Sequence, residues 1–75
     1  MKVTVKLIGP LIYEAGFSEK VMELPGRITA GELSAQIKID GKRPTIITRN
    51  GKAVTAGDAL EDGDRVVISP IYSGG

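Results

Sequence analysis

The 75-residue sequence contains no cysteine and no histidine. Without cysteine there is no disulfide, no thiolate metal site and no cysteine nucleophile. Without histidine the commonest general base and the commonest metal ligand are missing. Aromatic residues are scarce: Tyr13, Phe17 and Tyr72, with no tryptophan. They are too few and too dispersed to stack nucleic-acid bases. No charge of one sign dominates, since ten basic residues oppose nine acidic ones for a net charge of +1. Scattered charge of this kind excludes an electrostatic nucleic-acid footprint. No apolar run is long enough to span a bilayer, and Met-Lys-Val-Thr-Val lacks the apolar core of a signal peptide. The expectation is a cytoplasmic protein with no nucleic-acid or membrane partner. Neither G-x-x-x-x-G-K-[ST] nor G-x-G-x-x-G occurs, so no nucleotide site is expected. Asp58, Asp62 and Asp64 lack the EF-hand spacing and read as turn chemistry, leaving no metal site. Lys42-Arg43 reads as a solvated loop. The inventory is poor for an autonomous enzyme.

What is present describes one small domain, near the lower limit for a self-sufficient core. Lys2–Ile8 alternates, with Val3, Val5 and Leu7 on one face, which predicts a half-buried strand. Gly9-Pro10 breaks it, and Leu11–Phe17 reads as a loop with Leu11 or Tyr13 packed inward. Glu19–Leu24 predicts a second strand, antiparallel to the first, with Val21 inward and Met22 and Leu24 opposite. Thr29-Ala-Gly-Glu32 fits a capping box, with Ile28 and Leu33 at the positions of a hydrophobic staple. Ala30, Leu33 and Ile37 then form the buried stripe of a short helix, which Gly31 weakens. Asp40-Gly41 marks a turn. Thr45–Arg49 and Lys52–Val54 predict two strands joined at Asn50-Gly51, a strong hairpin signal. Asp58–Leu60 reads as one helical turn and Asp62-Gly63-Asp64 as a turn.

Arg65–Ile68 predicts the last strand, and Pro70, with no N–H for a ladder, is expected to stop it. The order is therefore β-β-α-β-β-β. A helix this short buries its stripe only against a sheet, and a long crossover allows the first and last strands to pair in parallel. The fold class is α+β: a β-grasp with a mixed sheet of four to five strands on one short helix. Its domain spans residues 1–70, followed by an extended tail over 71–75. The expected core is Val3, Val5, Leu7, Val21, Leu33, Ile37, Ile47, Val54, Leu60, Val66 and Ile68. If Val66 and Ile68 point inward, period two sends Val67 outward. Ile46 shares that outer face, and Ile8, Ile71 and Tyr72 extend it toward the tail as a candidate partner surface.

Four stretches carry a resemblance: Met1–Leu7, Thr29-Ala-Gly-Glu-Leu33, Arg49-Asn-Gly-Lys-Ala-Val54, and Leu60-x-Asp-Gly-Asp-x-Val-x-Ile68 leading to Gly74-Gly75. The sequence resembles the ubiquitin-like sulfur carriers of the MoaD/ThiS family. The resemblance implies a carrier that is not itself an enzyme. It implies that an E1-like enzyme uses ATP to adenylate the Gly75 carboxylate, with Gly74 and Ser73 forming the slim approach to it. A sulfur donor then makes a thiocarboxylate, which a downstream synthase subunit uses in molybdopterin or thiamine (thiazole) biosynthesis. No cofactor is bound by the chain, and no side chain is catalytic. Asn50-Gly51 and Ile37-Lys-Ile-Asp40 look like the thiamine-pathway carrier. The long 9–18 connection and Ser-Pro-Ile-Tyr look like the molybdopterin type, from whose bulkier tail Ser73 departs. Two alternatives share the features: a modifier conjugated to protein lysines, and a non-covalent β-grasp interaction module.

Overall fold

The computed structural model describes residues 1–39 and 44–71. Asp40-Gly41, Lys42-Arg43, Tyr72, Ser73, Gly74 and Gly75 therefore lie outside the described residues. The elements are β1 (Lys2–Leu7), α1 (Leu11–Ala15), β2 (Glu19–Glu23), α2 (Ala30–Gln36), β3 (Thr45–Arg49), β4 (Lys52–Val54) and β5 (Arg65–Pro70). They form one sheet in the order β2-β1-β5-β3-β4. β1 and β5 run parallel at its centre, with Val5 opposite Val66 and Leu7 opposite Ile68. The other pairings, β1 with β2, β3 with β4 and β3 with β5, are antiparallel. This is the mixed sheet of a β-grasp.

α2 begins as its residues dictate. Thr29 Oγ1 accepts the Glu32 N–H at 3.1 Å, and Glu32 Oε1 accepts the Thr29 N–H at 3.0 Å. The two remaining N–H groups of the first turn, those of Ala30 and Gly31, donate to the carbonyls of Asp58 and Ala56. Every backbone donor that a helix start normally leaves orphaned therefore has a partner. Gly31 lets the Ala56 loop come this close, since a Cβ there would lie 2.9 Å from the Ala56 Cβ. The glycine that weakens the helix is needed to dock the loop. Ala30, Leu33 and Ile37 are buried in one core with Val3, Val5, Leu7, Ile47, Leu60, Val66 and Ile68.

Five expectations are corrected. Leu11–Ala15 is a short helix rather than a loop, closed by Gly16 at φ +88°. It buries Leu11 completely and leaves Tyr13 exposed. Val21 lies outside the core, 61% exposed, while Leu24 is buried and Met22 packs against the core. The register explains this: Val3 points inward and faces Met22 across the antiparallel pair, and directly opposed residues share a sheet face. Asp58–Leu60 makes no helical turn; Ala59 forms a single β-bridge to Thr29. Leu11, Leu24, Ile28 and Ala30 join the core beyond the expected set, and Val54 only packs against it.

Pro70 ends β5, yet it pairs with Thr45 and is followed by a bond from the Ile71 N–H to the Pro44 carbonyl, 3.2 Å. Antiparallel hydrogen bonds alternate in pairs, so the Pro70 nitrogen faces the β1 side. β1 has already ended there, at Leu7 opposite Ile68, and the missing N–H breaks no ladder.

Candidate functional site

The outer sheet face is set by strand parity. Val66 and Ile68 are fully buried beneath the sheet, so Val67 and Ser69 turn to the other side, where both are half-buried. Val67 lies between Lys6 of β1 and Thr48 of β3, and Ser69 pairs with Ile46. Ile8 directly follows β1 at this end and donates its N–H to the Ile68 carbonyl. Ile8, Ile46 and Ile71 are exposed. The structure thus gathers Ile8, Ile46, Val67 and Ile71 at one end of one face, the end from which the chain leaves toward residues 72–75. Tyr72, Ser73, Gly74 and Gly75, the other expected site residues, lie outside the described residues.

At the opposite end of β3 is a polar hub that reading the sequence missed. Asp64, 5% exposed, accepts from the Arg49 Nε, the Asn50 Nδ2 (2.9 Å) and the Glu61 N–H (2.7 Å). Arg49 also reaches Glu61 at 3.4 Å, and Asn50 Oδ1 accepts the Arg65 N–H at 2.9 Å. The hub ties the β3–β4 turn to the turn that launches β5. The signal was present in the parity: Asp64 is in phase with inward Val66 and Ile68, and Arg49 with inward Ile47. Burial pushes the Asp64 carboxyl up, but the Glu61 N–H, the Arg49 guanidinium and the Asn50 amide bring it below its ordinary value of 3.8. The Arg49 guanidinium is raised in turn, chiefly by its hydrogen bond to Asp64.

A depressed carboxylate pKa means that the unfolded chain binds the proton more readily. The Asp64 contribution is therefore complete above about pH 4 and is lost as the pH falls through the folded value. Asp64→Ala is expected to cost about 2–3 kcal/mol at pH 7 and to flatten the acid limb of stability. Urea midpoints for the two chains between pH 7 and pH 3 check this, and parallel acid limbs would refute it.

Asp58 and Asp62 are also engaged. Asp58 accepts the Thr55 N–H at 2.7 Å, and Asp62 accepts the Lys2 N–H at 2.6 Å. Among the described residues no three acidic groups come together as a metal site. No helix there is long and apolar enough to cross a membrane. A concavity of about 640 Å³ beside the hub, lined by Arg49, Lys52, Asp58 and Glu61 among others, lies at the far end of β3 from Pro44 and Ile71.

The model of the ThiS family matches residues 5–75. The chain belongs to the ThiS family. No match was found among curated proteins. Among solved structures, a putative molybdopterin converting factor subunit 1 from Pyrococcus furiosus is 28% identical, with 96% of this chain and 99% of that one covered at a TM-score of 0.80. SAMP1 from Haloferax volcanii is 25% identical over the whole of both chains, at 0.79. Subunit 1 of the molybdopterin-converting factor from Helicobacter pylori, solved in complex with subunit 2, has the same fold at 22% identity, with both chains fully covered and a TM-score of 0.65. As in other members of the ThiS family, the body is a ubiquitin-like β-grasp, and membership makes this chain a small carrier rather than a catalyst.

Proposed function

We propose that this ThiS-family chain is a sulfur carrier whose Gly75 carboxylate is adenylated by an E1-like enzyme and converted to a thiocarboxylate. The observation that carries the reading is the family match, which runs through Gly74-Gly75. The chemistry fits the composition: adenylation supplies the leaving group a carboxylate lacks, and partners supply ATP, sulfur and every catalytic group. A chain without histidine or cysteine needs none of its own. Two residues without side chains suit a narrow channel in which backbone lies against the walls. The downstream partner is a synthase subunit, by analogy with the two-subunit converting factors; the product is molybdopterin or thiamine thiazole. The direct test is pyrophosphate exchange with the E1-like enzyme, followed by intact mass after addition of a sulfur donor. Replacement of one oxygen by sulfur at the C-terminus is the expected result, and no exchange would refute the reading.

A second reading, conjugation to protein lysines, is favoured by the likeness to SAMP1. It shares the adenylation step and parts from the first reading at the acceptor. A chain-sized adduct on lysine in place of the sulfur-bearing C-terminus would select it.

On either reading the E1-like enzyme docks on the face that holds Ile8, Ile46, Val67 and Ile71. Val67→Asp places a charge in this patch without touching the core, beside Lys6, which can offset it. Binding is expected to weaken by about tenfold or more with the urea midpoint little changed. Unchanged affinity in a titration would move the interface elsewhere.

A further inference from the structure

Asn50, the sequence's one asparagine, is followed by glycine. That order leaves the next amide nitrogen least hindered on its way to the side-chain carbonyl, because Gly51 has no Cβ. The chemistry it permits needs only water and a mild base. The Gly51 nitrogen loses its proton and bonds to the Asn50 Cγ, the Cγ–Nδ2 bond breaks, and that nitrogen leaves as ammonia. The resulting five-membered imide is opened by water at either carbonyl, giving aspartate or its β-linked isomer at position 50.

In the folded chain both polar atoms of the Asn50 carboxamide, which must swing free for this reaction, are engaged. Asn50 Nδ2 donates to the buried Asp64 carboxylate, and Oδ1 accepts the Arg65 N–H, both at 2.9 Å. The Asn50 N–H donates to the Arg65 carbonyl at 2.8 Å. The carboxamide is drawn across to the start of β5, while Gly51 sits at the hairpin tip with φ +85° and leads into Lys52, paired with Arg49. We propose that Asn50 is a spontaneous deamidation site that Asp64 and Arg65 hold shut, so that its conversion is gated by opening of the Glu61–Arg65 turn.

The product would not fit back. A carboxylate at position 50 has lost the donor that met Asp64 and sets a second negative charge against it. The β-linked isomer adds a backbone atom to a two-residue turn whose residues both have positive φ, as such turns require. Each opening thus carries a chance of irreversible change, and the hub acts as the lock on that change.

Parallel incubation of the intact chain at mildly alkaline pH, in native buffer and in urea, tests this. The readout is intact mass for replacement of NH2 by OH, placed at residue 50 by peptide mapping. The native chain is expected to convert at least about tenfold more slowly, because conversion tracks the population of the open state. Asp64→Ala in native buffer is expected to convert several-fold faster than the parent. Equal parent rates in buffer and urea would overturn the proposal. So would a folded Asp64→Ala chain, verified by circular dichroism, that converts at the parent rate. If that variant unfolds, its rate should match the urea rate, and the comparison of parent in buffer and urea decides the matter.

Discussion

Deletion of Gly75 is expected to abolish adenylate formation while leaving the urea midpoint where it is. On the carrier reading the reacting atom is a backbone carboxylate, so its position is fixed by chain length rather than by a side chain. The Ile71 N–H is the last described tether, held by the Pro44 carbonyl. Four residues follow it, and a chain of that length spans at most roughly 13–14 Å when fully extended. The partner's active site must therefore lie within that reach of the Pro44 edge. Removing a residue withdraws the carboxylate by about 3.5 Å, and a 1 Å misplacement can already cost on the order of a hundredfold in rate. Appending a residue after Gly75 is expected to fail for the converse reason, and a β-branched residue at Gly74 by widening the thread. Pyrophosphate exchange separates these variants from the parent. Normal exchange by the Gly75 deletion would end the carrier reading and leave the interaction module in its place.

Leu33→Ala is expected to cost roughly 2–5 kcal/mol, the range for emptying a fully buried leucine site. Leu33 is 0% exposed and belongs to the same buried core as Val3, Val5, Leu7, Ile47, Val66 and Ile68 of the strands. A domain of this size has only about 4–11 kcal/mol in all, so the loss removes a large share of the total and the urea midpoint should fall sharply. Urea titration checks this, and a loss below about 1 kcal/mol would mean that the stripe collapses around the vacancy or was never closely packed.

The parts legible in the sequence are those where a local rule decides alone. The Thr29–Glu32 box, the Asn50-Gly51 hairpin and the alternation of Val3, Val5 and Leu7 are such cases. The rest depends on neighbours that a local window does not contain. β2 offers apolar residues in both phases, and only its register against Val3 shows that Met22, not Val21, faces inward. α1 is five residues long, too short for helical periodicity to show. The Asp64 hub joins two stretches about fifteen residues apart, and Asp64 alone looks like one more turn residue. The outer face was legible because period two, once anchored on Val66 and Ile68, assigns Val67 and Ile46 without further information. The tail was read by resemblance and lies outside the described residues, so the deletion experiment carries that part.

The parallel pairing of β1 with β5 also bears on synthesis. Contacts between the two ends of a chain form late, because the whole intervening loop must close first. Two hairpins and the helix can form from the first sixty residues, but the central place in the sheet stays empty until Arg65–Pro70 has been made. β1 and β3 meet only through that strand. A nascent or truncated copy thus exposes the unpaired edges of both halves, the kind of surface that quality-control proteases and chaperones engage. A copy that has closed its sheet has, by construction, already been translated to within a few residues of the glycines it is proposed to present.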